Sequence, residues 1–401
     1  MKITLVSGLG ELFGAELALG VEYSFSMCKQ SIFTYHGCTL SVAGDCLHVY
    51  VAEDTQMALY LNLHLALEGL RTQAAASGSR GPRVLVVGPM DVGKSSCCRI
   101  LLNYAFRHGR RVTYVDLDVG VGSISIPGTL CAATVERLLD AQTAYDSLVP
   151  LVYYYGHTSP SENSKLYMTL LSSLARQVVG KLDVDADAQA SGVIINTCGF
   201  TEGIGYQAIV HAVHAFQVDT ILVLGDERLH SELQRDFQNS QGSDPQQQSP
   251  PVNIIRLTRS GGSVNRDSRF RKQQRNGSIR AYFYGRDGEL YPRRATIPFS
   301  DLSLFHNGQA NVAPSTALPI GKTRKIDETK CLPLTPSADL LHRVISVSST
   351  TNTDELIGAP SQGFLFVDEV DIAKSRISVL APVNGRIPKQ PLLVGSLKWI
   401  D

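Results

Sequence analysis

The sequence predicts an α/β protein in which a central domain, built on a parallel sheet, is flanked by small β-rich domains. Apolar strands alternate with amphipathic helices after Pro82, which is the pattern of βαβ units. The first of these strands leads into Gly88-Pro-Met-Asp-Val-Gly-Lys-Ser95, a phosphate-binding pattern that belongs between a strand and a helix. Short strands separated by turn residues precede and follow this region. We therefore predict a β-rich domain at 1–75, a P-loop NTPase domain at 76–297 and a second β-rich domain at 298–401.

The composition is that of a globular protein with no excess of either charge. Of the 401 residues, 43% are hydrophobic and 18% are charged, which excludes a largely disordered chain. Lys and Arg total 37 and Asp and Glu total 37, so the net charge is zero. A protein that coats nucleic acid without selectivity carries a basic surplus. Any contact with nucleic acid is therefore expected to be a local patch within a site.

Neither a membrane segment nor a disulfide framework is predicted. The most apolar stretch, 204–224, is interrupted by His211, His214, Gln217 and Asp219. None of the eight cysteines forms a C-x-x-C pair, and several lie in apolar strand or helix patterns. Reduced thiols in the cytosol or nucleus are the expected state.

The N-terminal region predicts short strands followed by one helix. The strands are expected at 2–6, 31–35, 38–42 and 47–51. The helix is expected at 55–71, with one apolar face formed by Met57, Leu61, Leu65 and Leu70. The polar, small-residue stretch at 73–82 has the composition of a linker.

The central region predicts the alternating elements of a parallel sheet. Its strands are expected at 83–87, 111–119, 151–155, 192–196 and 218–224, and its helices at 94–108 and 205–216. The Gln- and Ser-rich segment at 237–251 lacks a core-forming face and predicts a flexible surface insertion. Further strands are expected towards the C-terminus, at 344–348, 363–367 and 375–380.

The strongest chemical signal is the G-x-x-x-x-G-K-S pattern after the first central strand. Glycines let the backbone wrap so that its N–H groups face a triphosphate, and the following helix N-terminus adds positive potential. Lys94 is expected to reach the β- and γ-phosphates, and Ser95 to ligate Mg²⁺. The loop residues predicted to bind the nucleotide are Asp91, Val92, Gly93, Lys94 and Ser95.

A second signal is the pair Asp116 and Asp118 at the end of the next strand. Residues two apart on a strand face the same way, so the two carboxylates can converge. One can hold Mg²⁺, and a carboxylate near the γ-phosphate can take a proton from an attacking hydroxyl. A solvated turn is the alternative. The chain lacks the N-K-x-D tetrapeptide that reads guanine, which favours ATP as the nucleotide.

Five segments occur in the order found in one family. They are GPMDVGKSS, VDLDVGVGSISIPGT, GHTSPSENSKLY, INTCGFTEGIGYQ and RFRKQQRNGSIRAYFYG. Nearly the whole chain resembles the polyribonucleotide 5′-hydroxyl kinase family of the pre-mRNA 3′-end cleavage and polyadenylation machinery. The resemblance implies a polynucleotide-kinase-like domain that transfers the γ-phosphate of ATP to the 5′-hydroxyl of RNA, with Mg²⁺, in the nucleus. It implies as partners the subunits of cleavage factor II and, as for animal members, the tRNA-splicing endonuclease complex.

The resemblance also implies roles for individual residues. Lys94, Ser95 and Ser96 match phosphate-loop positions, and Asp118 matches the carboxylate that activates the 5′-hydroxyl. Thr158 matches a clasp on the terminal nucleotide, and Phe200 stands where relatives stack a tryptophan on the RNA base. Arg266 and Arg271 match lid arginines that close over the transferring phosphate, and Lys29 matches a nucleotide contact from the N-terminal domain. From the residues alone, the arginines could instead form a solvated helix face, and Phe200 could cap the core.

Three functions follow from these patterns. The first is the RNA 5′-hydroxyl kinase. The second is a scaffold that binds ATP without catalysis, which is favoured by Val121, where relatives carry glutamine, and by the absence of a counterpart to the family's first strand. The third is an ATPase without an RNA substrate, against which the matches at Thr158 and Phe200 weigh.

Overall fold

The computed structural model describes residues 1–26, 28–238, 252–307, 330–383 and 389–400. Over these ranges the strands are β1 (Lys2–Gly8), β2 (Glu11–Leu12), β3 (Ala15–Glu16), β4 (Glu22–Ser24), β5 (Ile32–Phe33), β6 (Cys38–Ala43), β7 (Arg83–Val87), β8 (Thr113–Asp116), β9 (Thr129–Thr134), β10 (Leu151–Tyr154), β11 (Val193–Asn196), β12 (Thr220–Leu224), β13 (Asn253–Leu257), β14 (Arg293–Pro298), β15 (Leu304–Asn307), β16 (Cys331–Pro333), β17 (Arg343–Ser348), β18 (Ser361–Asp371), β19 (Arg376–Ala381) and β20 (Leu392–Lys398). The α-helices are α1 (Met57–Ser77), α2 (Lys94–Arg107), α3 (Ser164–Val184), α4 (Ala186–Ser191), α5 (Ile204–Phe216), α6 (Glu227–Gln238) and α7 (Ser268–Tyr284). Of the insertion predicted at 237–251, residues 239–251 lie outside the described ranges.

Four sheets organise the described residues. The central sheet has the strand order β10-β9-β8-β11-β7-β12-β13, and the C-terminal sheet has the order β14-β19-β18-β17-β20-β15-β16. Two three-stranded sheets, β4-β1-β6 and β3-β2-β5, belong to the N-terminal region. The predicted fold class, a parallel-sheet centre with β-rich flanking regions, is confirmed.

The strand that leads into the phosphate loop lies inside the parallel part of the central sheet. All five residues of β7 are buried, as expected for a strand covered on both faces. β7 pairs in parallel with β11 and β12, so that Val86 is level with Asn196 and Leu222. Parallel strands end at a common edge, and the loops after β7 and β11 therefore leave the sheet side by side.

The chain divides into two compact units. The first comprises Met1–Val115, Ala132–Pro150 and Gln177–Asn265. The second comprises Asp116–Cys131, Leu151–Arg176 and Arg266–Asp401. Each unit is therefore discontinuous in sequence and carries part of the predicted site.

The C-terminal sheet of the second unit is buried on both faces. One cluster contains Phe283 of α7 and Trp399, whose rings stack with centroids 5.9 Å apart, together with Val344 of β17. The next residue of β17, Ile345, belongs to the opposite cluster with Leu365. The alternation of strand side chains thus supplies two apolar layers from one sheet.

The predicted strand at 47–51 is wrong. The segment has no regular secondary structure, and the side chains of Leu47 and Val51 are 97% and 96% exposed. An alternating pattern stabilises a strand only when a neighbouring strand completes its hydrogen-bond ladder. Within the described ranges, β6 is paired with β1 and not with this segment.

The linker predicted at 73–82 is wrong in its first half, because α1 continues to Ser77. Alanine at 74–76 is the strongest helix former, and Gly78 ends the helix in a left-handed conformation with φ 63°. The predicted apolar face is wrong at Leu65 and Leu70, which are 52% and 44% exposed, whereas Met57 is buried as predicted. The buried residues of α1 are Met57, Tyr60, Leu63, His64, Leu67, Arg71 and Ala74.

No helix in the described ranges is both long and apolar enough to cross a membrane.

Candidate active site

The phosphate loop follows β7 and ends at α2, both in the first unit. A Cβ at Gly88 would lie 2.4 Å from the carbonyl oxygen of Leu224, so only glycine fits this close approach. Asp91 and Gly93 have left-handed backbones, with φ values of 62° and 100°. Glycine adopts this conformation without cost, and an aspartate pays little for it. The loop is therefore wrapped as the sequence predicts.

Lys94 is the first residue of α2, and its side chain points back into the loop. The residue is 7% exposed. Its Nζ donates hydrogen bonds to the carbonyl oxygens of Gly88 at 2.9 Å and Pro89 at 2.8 Å. A cation held inside a ring of backbone groups at a helix N-terminus is the arrangement that binds phosphate.

The next turn of α2 is part of the core. Cys97 and Cys98 are fully buried, and burial raises the pKa of the Cys97 thiol to about 12. A thiol with so high a pKa stays protonated and does not compete as a nucleophile. All eight cysteines are free.

The loop after β11 lies against the phosphate loop. Asn196 is fully buried at the end of β11, and its Nδ2 donates to Ser95 Oγ at 3.2 Å. A Cβ at Gly199 would lie 2.7 Å from the backbone nitrogen of Met90. The following residue, Phe200, is 41% exposed. A side chain that capped the core would be buried, so the exposure of Phe200 favours an accessible ring.

Asn196 and Ser263 belong to this site, although the sequence does not predict them as site residues. Ser263 Oγ donates to the carbonyl oxygen of Val92 at 3.3 Å. A signal for Asn196 exists, because it is the polar end of an apolar strand that neighbours β7. No pattern links Ser263 to the loop, since its position depends on the path of the chain after β13.

In the second unit, Asp116 and Asp118 form a tight turn. Oδ1 of Asp116 accepts from the backbone nitrogen of Asp118 at 3.0 Å, and its Oδ2 accepts from Ser123 N at 3.2 Å. Asp118 Oδ1 accepts from Gly120 N at 2.9 Å. These bonds turn the backbone out of the strand, which explains why β8 ends at Asp116 and not at 119 as predicted. Asp116 is 3% exposed and therefore is not a solvated turn residue, whereas Asp118 is half-buried.

The backbone of Thr158 lies close to the Asp118 turn. A Cβ at Gly120 would lie 3.2 Å from Asp118 Oδ1 and 3.4 Å from the carbonyl oxygen of Thr158. In the second unit, the predicted base and the backbone of the predicted RNA clasp therefore both lie close to Gly120.

Arg266 and Arg271 lie at the start of α7 and are connected by a hydrogen bond. Asp267 caps this helix by accepting from Phe270 N at 2.7 Å. Arg271 donates to the carbonyl oxygen of Arg266 at 2.7 Å. The guanidinium of Arg266 lies 5.3 Å from the ring centroid of Phe270. Both arginines are partly buried, so the description of a fully solvated helix face does not fit them.

Lys29 and Val121 complete the predicted residues. The Lys29 ammonium lies 5.9 Å from the ring centroid of Tyr50 in the first unit. Val121 lies in the turn after Asp118, in the second unit, and is 38% exposed. Their roles toward the nucleotide and the hydroxyl remain predictions, as do the roles of the other site residues.

Three family models match consecutive parts of the chain. The N-terminal beta-sandwich domain of polyadenylation factor matches 1–74, the mRNA cleavage and polyadenylation factor CLP1 P-loop matches 88–285, and the Pre-mRNA cleavage complex II protein Clp1 matches 290–401.

The chain belongs to the Clp1 family.

Relatives in the Clp1 family are similar over the full length. The polyribonucleotide 5′-hydroxyl-kinase Clp1 of Homo sapiens is 42% identical over 403 residues, covering 100% of this chain and 92% of the relative. The protein of the same name from Danio rerio is 42% identical over 409 residues, covering 100% and 90%. A solved structure of wild-type Clp1p with Pcf11p superposes with a TM-score of 0.84 at 25% identity, covering 99% of this chain and 93% of that one. The resemblance stated from the motifs is confirmed, and a P-loop kinase family implies that the chain uses a nucleotide.

Proposed function

We propose that this protein is an ATP-dependent polynucleotide 5′-hydroxyl kinase that acts on RNA in mRNA 3′-end cleavage and polyadenylation and in tRNA splicing. The observation that carries the proposal is the buried Lys94 ammonium, enclosed by its own phosphate loop through bonds to two carbonyl oxygens. A triphosphate can replace these carbonyls as the partner of the cation. The names of the full-length relatives in Homo sapiens and Danio rerio support the same activity.

We propose that the loop residues hold ATP and that three oxygen-bearing side chains supply ligands for Mg²⁺. Lys94 and the backbone N–H groups of 91–96 would hold the β- and γ-phosphates. Ser95, Asp116 and Asp118 offer the hard oxygen ligands that Mg²⁺ prefers. When bound, the ion neutralises charge that develops on the phosphate oxygens. Asn196 would keep the Ser95 hydroxyl in place through its hydrogen bond.

The reaction follows from the roles of Asp118 and the arginines. The RNA 5′-oxygen forms a bond to the γ-phosphorus while the bond from that phosphorus to the β,γ-bridging oxygen breaks, and ADP leaves. Asp118 accepts the proton of the 5′-hydroxyl. Arg266 and Arg271 stabilise the charge on the transferring group, a contribution of about 10³–10⁵ in rate for an arginine finger.

The RNA end would be held by Thr158 and Phe200. An exposed aromatic ring stacks on any base, which is worth about 1–3 kcal/mol per base and suits a kinase without sequence preference. Phenylalanine offers less ring surface than tryptophan, so this grip is weaker than in relatives with tryptophan. Lys29 would add a nucleotide contact from the N-terminal region.

The assembly and the compartment are part of the proposal. One solved relative is described as a complex of Clp1p with Pcf11p, and a matching family is named for the pre-mRNA cleavage complex. We therefore propose that this protein works in the nucleus with subunits of cleavage factor II and with the tRNA-splicing endonuclease complex. The β-rich regions at 1–75 and 298–401 would supply surfaces for these partners.

A second candidate is a scaffold that binds ATP without catalysis. Val121 favours it, because an aliphatic side chain cannot orient a hydroxyl or a water molecule as an amide can. The phosphate loop would serve the scaffold equally well, so ATP binding alone does not separate the two functions.

The decisive experiment is incubation with γ-labelled ATP and 5′-hydroxyl oligonucleotides, RNA and DNA in parallel. We expect label on the RNA 5′ end with the wild type and none with Lys94→Ala, because no other residue of the loop replaces this charge on the phosphates. Lys374→Ala, at an exposed lysine paired with Asp371, is the matched control and should keep full activity. Full phosphorylation by Lys94→Ala would refute the assigned site, and ATP binding without phosphorylation by the wild type would favour the scaffold.

A further inference from the structure

The loop that carries Thr158 is folded on itself by a tyrosine. Residues 155–163, which we call the clasp loop, join β10 to α3. The Tyr155 hydroxyl lies 3.0 Å from the Ser159 carbonyl oxygen and accepts from Asn163 N at 3.0 Å. Tyr155 is fully buried, so its ring fixes the base of the loop. The tip at Thr158 needs separate support.

Glu162 provides this support. Its Oε1 accepts from the backbone nitrogen of Thr158 at 3.1 Å. Its Oε2 accepts from Ser396 Oγ at 2.9 Å and lies 3.2 Å from His157 Nδ1. The Ser396 hydroxyl in turn lies 2.8 Å from His157 Nδ1. One carboxylate therefore joins the Thr158 backbone to a serine 234 residues away in sequence.

The protonation of His157 follows from its surroundings. Burial lowers the pKa of His157 below its ordinary value, although Glu162 opposes this effect. Its Nε2 is buried and has no hydrogen-bond partner among the described residues, whereas Nδ1 faces two oxygens. The neutral ring therefore keeps its proton on Nδ1, where it has acceptors. Both carboxylate oxygens of Glu162 then have donors, Oε1 from Thr158 N and Oε2 from Ser396 Oγ, with the His157 Nδ1 proton beside Oε2.

Ser396 is held at this position by the backbone of β20. Leu397 N donates to the Gly156 carbonyl oxygen at 3.0 Å. A Cβ at Gly395 would lie 2.3 Å from that same oxygen, and a Cβ at Gly156 would lie 2.9 Å from the Gly395 Cα. Two glycines thus allow a strand of the C-terminal sheet to touch the clasp loop directly.

The clasp loop also contacts the turn of Asp118. The Gly128 carbonyl oxygen, directly before β9, accepts from Tyr155 N at 2.9 Å and from Gly156 N at 2.8 Å. Asp118 Oδ1 and the Thr158 carbonyl oxygen both lie close to the position that a Cβ at Gly120 would occupy. A shift of the Thr158 backbone would therefore move the clasp relative to Asp118.

We propose that Ser396, Glu162 and His157 are positioning residues, through which the C-terminal sheet holds Thr158 at the RNA 5′ end. This inference rests on the proposed function, in which Thr158 grips the terminal nucleotide. The three residues do not react and do not bind ATP. They fix the backbone of the clasp, and the C-terminal sheet is part of the substrate site.

Steady-state kinetics of Ser396→Ala in the full chain test the proposal. Loss of one hydrogen bond to a carboxylate should raise the KM for a 5′-hydroxyl oligoribonucleotide about three- to tenfold, with the KM for ATP and the thermal unfolding midpoint unchanged. Ser396→Thr restores a hydroxyl and should restore the RNA KM. Ser378→Ala, at a serine on β19 of the same sheet, is the matched control and should match the wild type.

A double-mutant cycle on the RNA KM tests whether Ser396 and Glu162 act through one network, which independent structural effects would not produce. If both residues act through one network, adding Ser396→Ala to Glu162→Ala should cause no further rise in the RNA KM. Additive effects, or equal rises in the RNA and ATP KM values, would overturn the proposal.

The same variants separate this proposal from the kinase assignment. If the wild type transfers no phosphate, fluorescence anisotropy with a 5′-hydroxyl oligoribonucleotide and a non-hydrolysable ATP analogue replaces the rate assay. Weaker binding by Ser396→Ala would then support the positioning role while the kinase assignment fails. Equal binding by the two proteins, or no binding by either, would refute the positioning role.

Discussion

Val121 is a residue at which the motif comparison predicts a functional departure. It follows the Asp118 turn, where the family pattern given in the sequence analysis has glutamine. Its side chain is 38% exposed, so the turn has room for a longer polar residue. The groups proposed to hold the phosphates, which are the loop N–H groups and Lys94, do not include Val121. Its effect is therefore expected on the transition state and not on ground-state binding.

We expect Val121→Gln to raise kcat about tenfold to a hundredfold while leaving ATP affinity nearly unchanged. A charge-assisted hydrogen bond contributes about 1.5–3 kcal/mol, and an interaction made only in the transition state changes kcat. Matched single-turnover assays with 5′-hydroxyl RNA measure the difference. Val149→Gln, at a valine that is 91% exposed, is the control. Equal rates for wild type and Val121→Gln would show that the missing amide does not limit the chemistry.

The candidate site residues that could be predicted are those that belong to a short, local sequence pattern. Lys94 and Ser95 follow from one loop pattern, and Asp116 and Asp118 from their spacing at a strand end. Asn196 was missed because its contact with Ser95 depends on the pairing of β11 with β7, which no local pattern specifies. Ser396 was missed for the same reason over a longer distance, since its partners lie in the clasp loop.

At the scale of the element, α1 buries the polar residue His64 on a face that hydrophobic periodicity does not predict. His64 is 1% exposed, and its ring centroid lies 5.0 Å from that of His108 and 5.5 Å from that of Tyr104. Neither ring nitrogen has a hydrogen-bond partner among the described residues. Burial, with further contributions from Arg71 and His108, lowers the pKa of His64 to about 4. The helix therefore carries a neutral histidine in its core.

This histidine should make the protein less stable in mild acid. The ordinary pKa of histidine is about 6.5. Between pH 6.5 and about pH 4, the histidine binds a proton in the unfolded chain but not in the folded chain. The full free energy of unfolding is therefore available above pH 6.5, and part of it is lost as the pH falls toward 4. We expect His64→Leu to reduce the loss of unfolding free energy between pH 7 and pH 5 by about 1–2 kcal/mol.

Denaturant unfolding of the two proteins at pH 7 and pH 5 measures this effect. His48→Leu, at an exposed position, is the matched control. An identical pH dependence in wild type and His64→Leu would contradict the assignment of the titration to His64.

Elements with strong local signals were predicted well, and those that depend on distant partners were not. β7 and α2 have continuous apolar or periodic patterns with a glycine loop between them, and both were predicted within one residue. The segment at 47–51 has an equally good alternating pattern and no strand. The face of α1 was misassigned because His64 and Arg71 are buried, and hydrophobic periodicity does not recognise buried polar residues.

At the scale of the whole molecule, the balance of charges bears on how RNA is bound. Equal numbers of basic and acidic residues leave no surplus for a long phosphate backbone. Many of the described arginines are also paired with carboxylates, as Arg228 is with Glu202 and Glu232. Recognition is therefore expected at RNA ends, through a few defined contacts.

A circular oligoribonucleotide, which has no 5′ end, tests this expectation. We expect its affinity to be weak and to change less than about tenfold between 50 mM and 200 mM salt, since a protein with many phosphate contacts loses about 10³–10⁵ over that range. A linear 5′-hydroxyl oligomer of the same sequence is the control and should bind more tightly. Tight binding of the circle with a steep salt dependence would contradict end recognition.

The contact between Glu162 and Ser396 has a consequence for the order in which the protein is completed during synthesis. The two residues are 234 positions apart. At about 5–20 residues per second, the ribosome adds the serine on the order of ten to fifty seconds after the glutamate. Within that interval, once Ser263 has been added, the nascent chain holds the residues described above that contact the phosphate loop, together with a clasp loop that lacks its distal anchor. The proposed nucleotide site can therefore be complete before the proposed hold on RNA, and a chain interrupted between Ser263 and Ser396 would lack the means to place a substrate against a bound nucleotide.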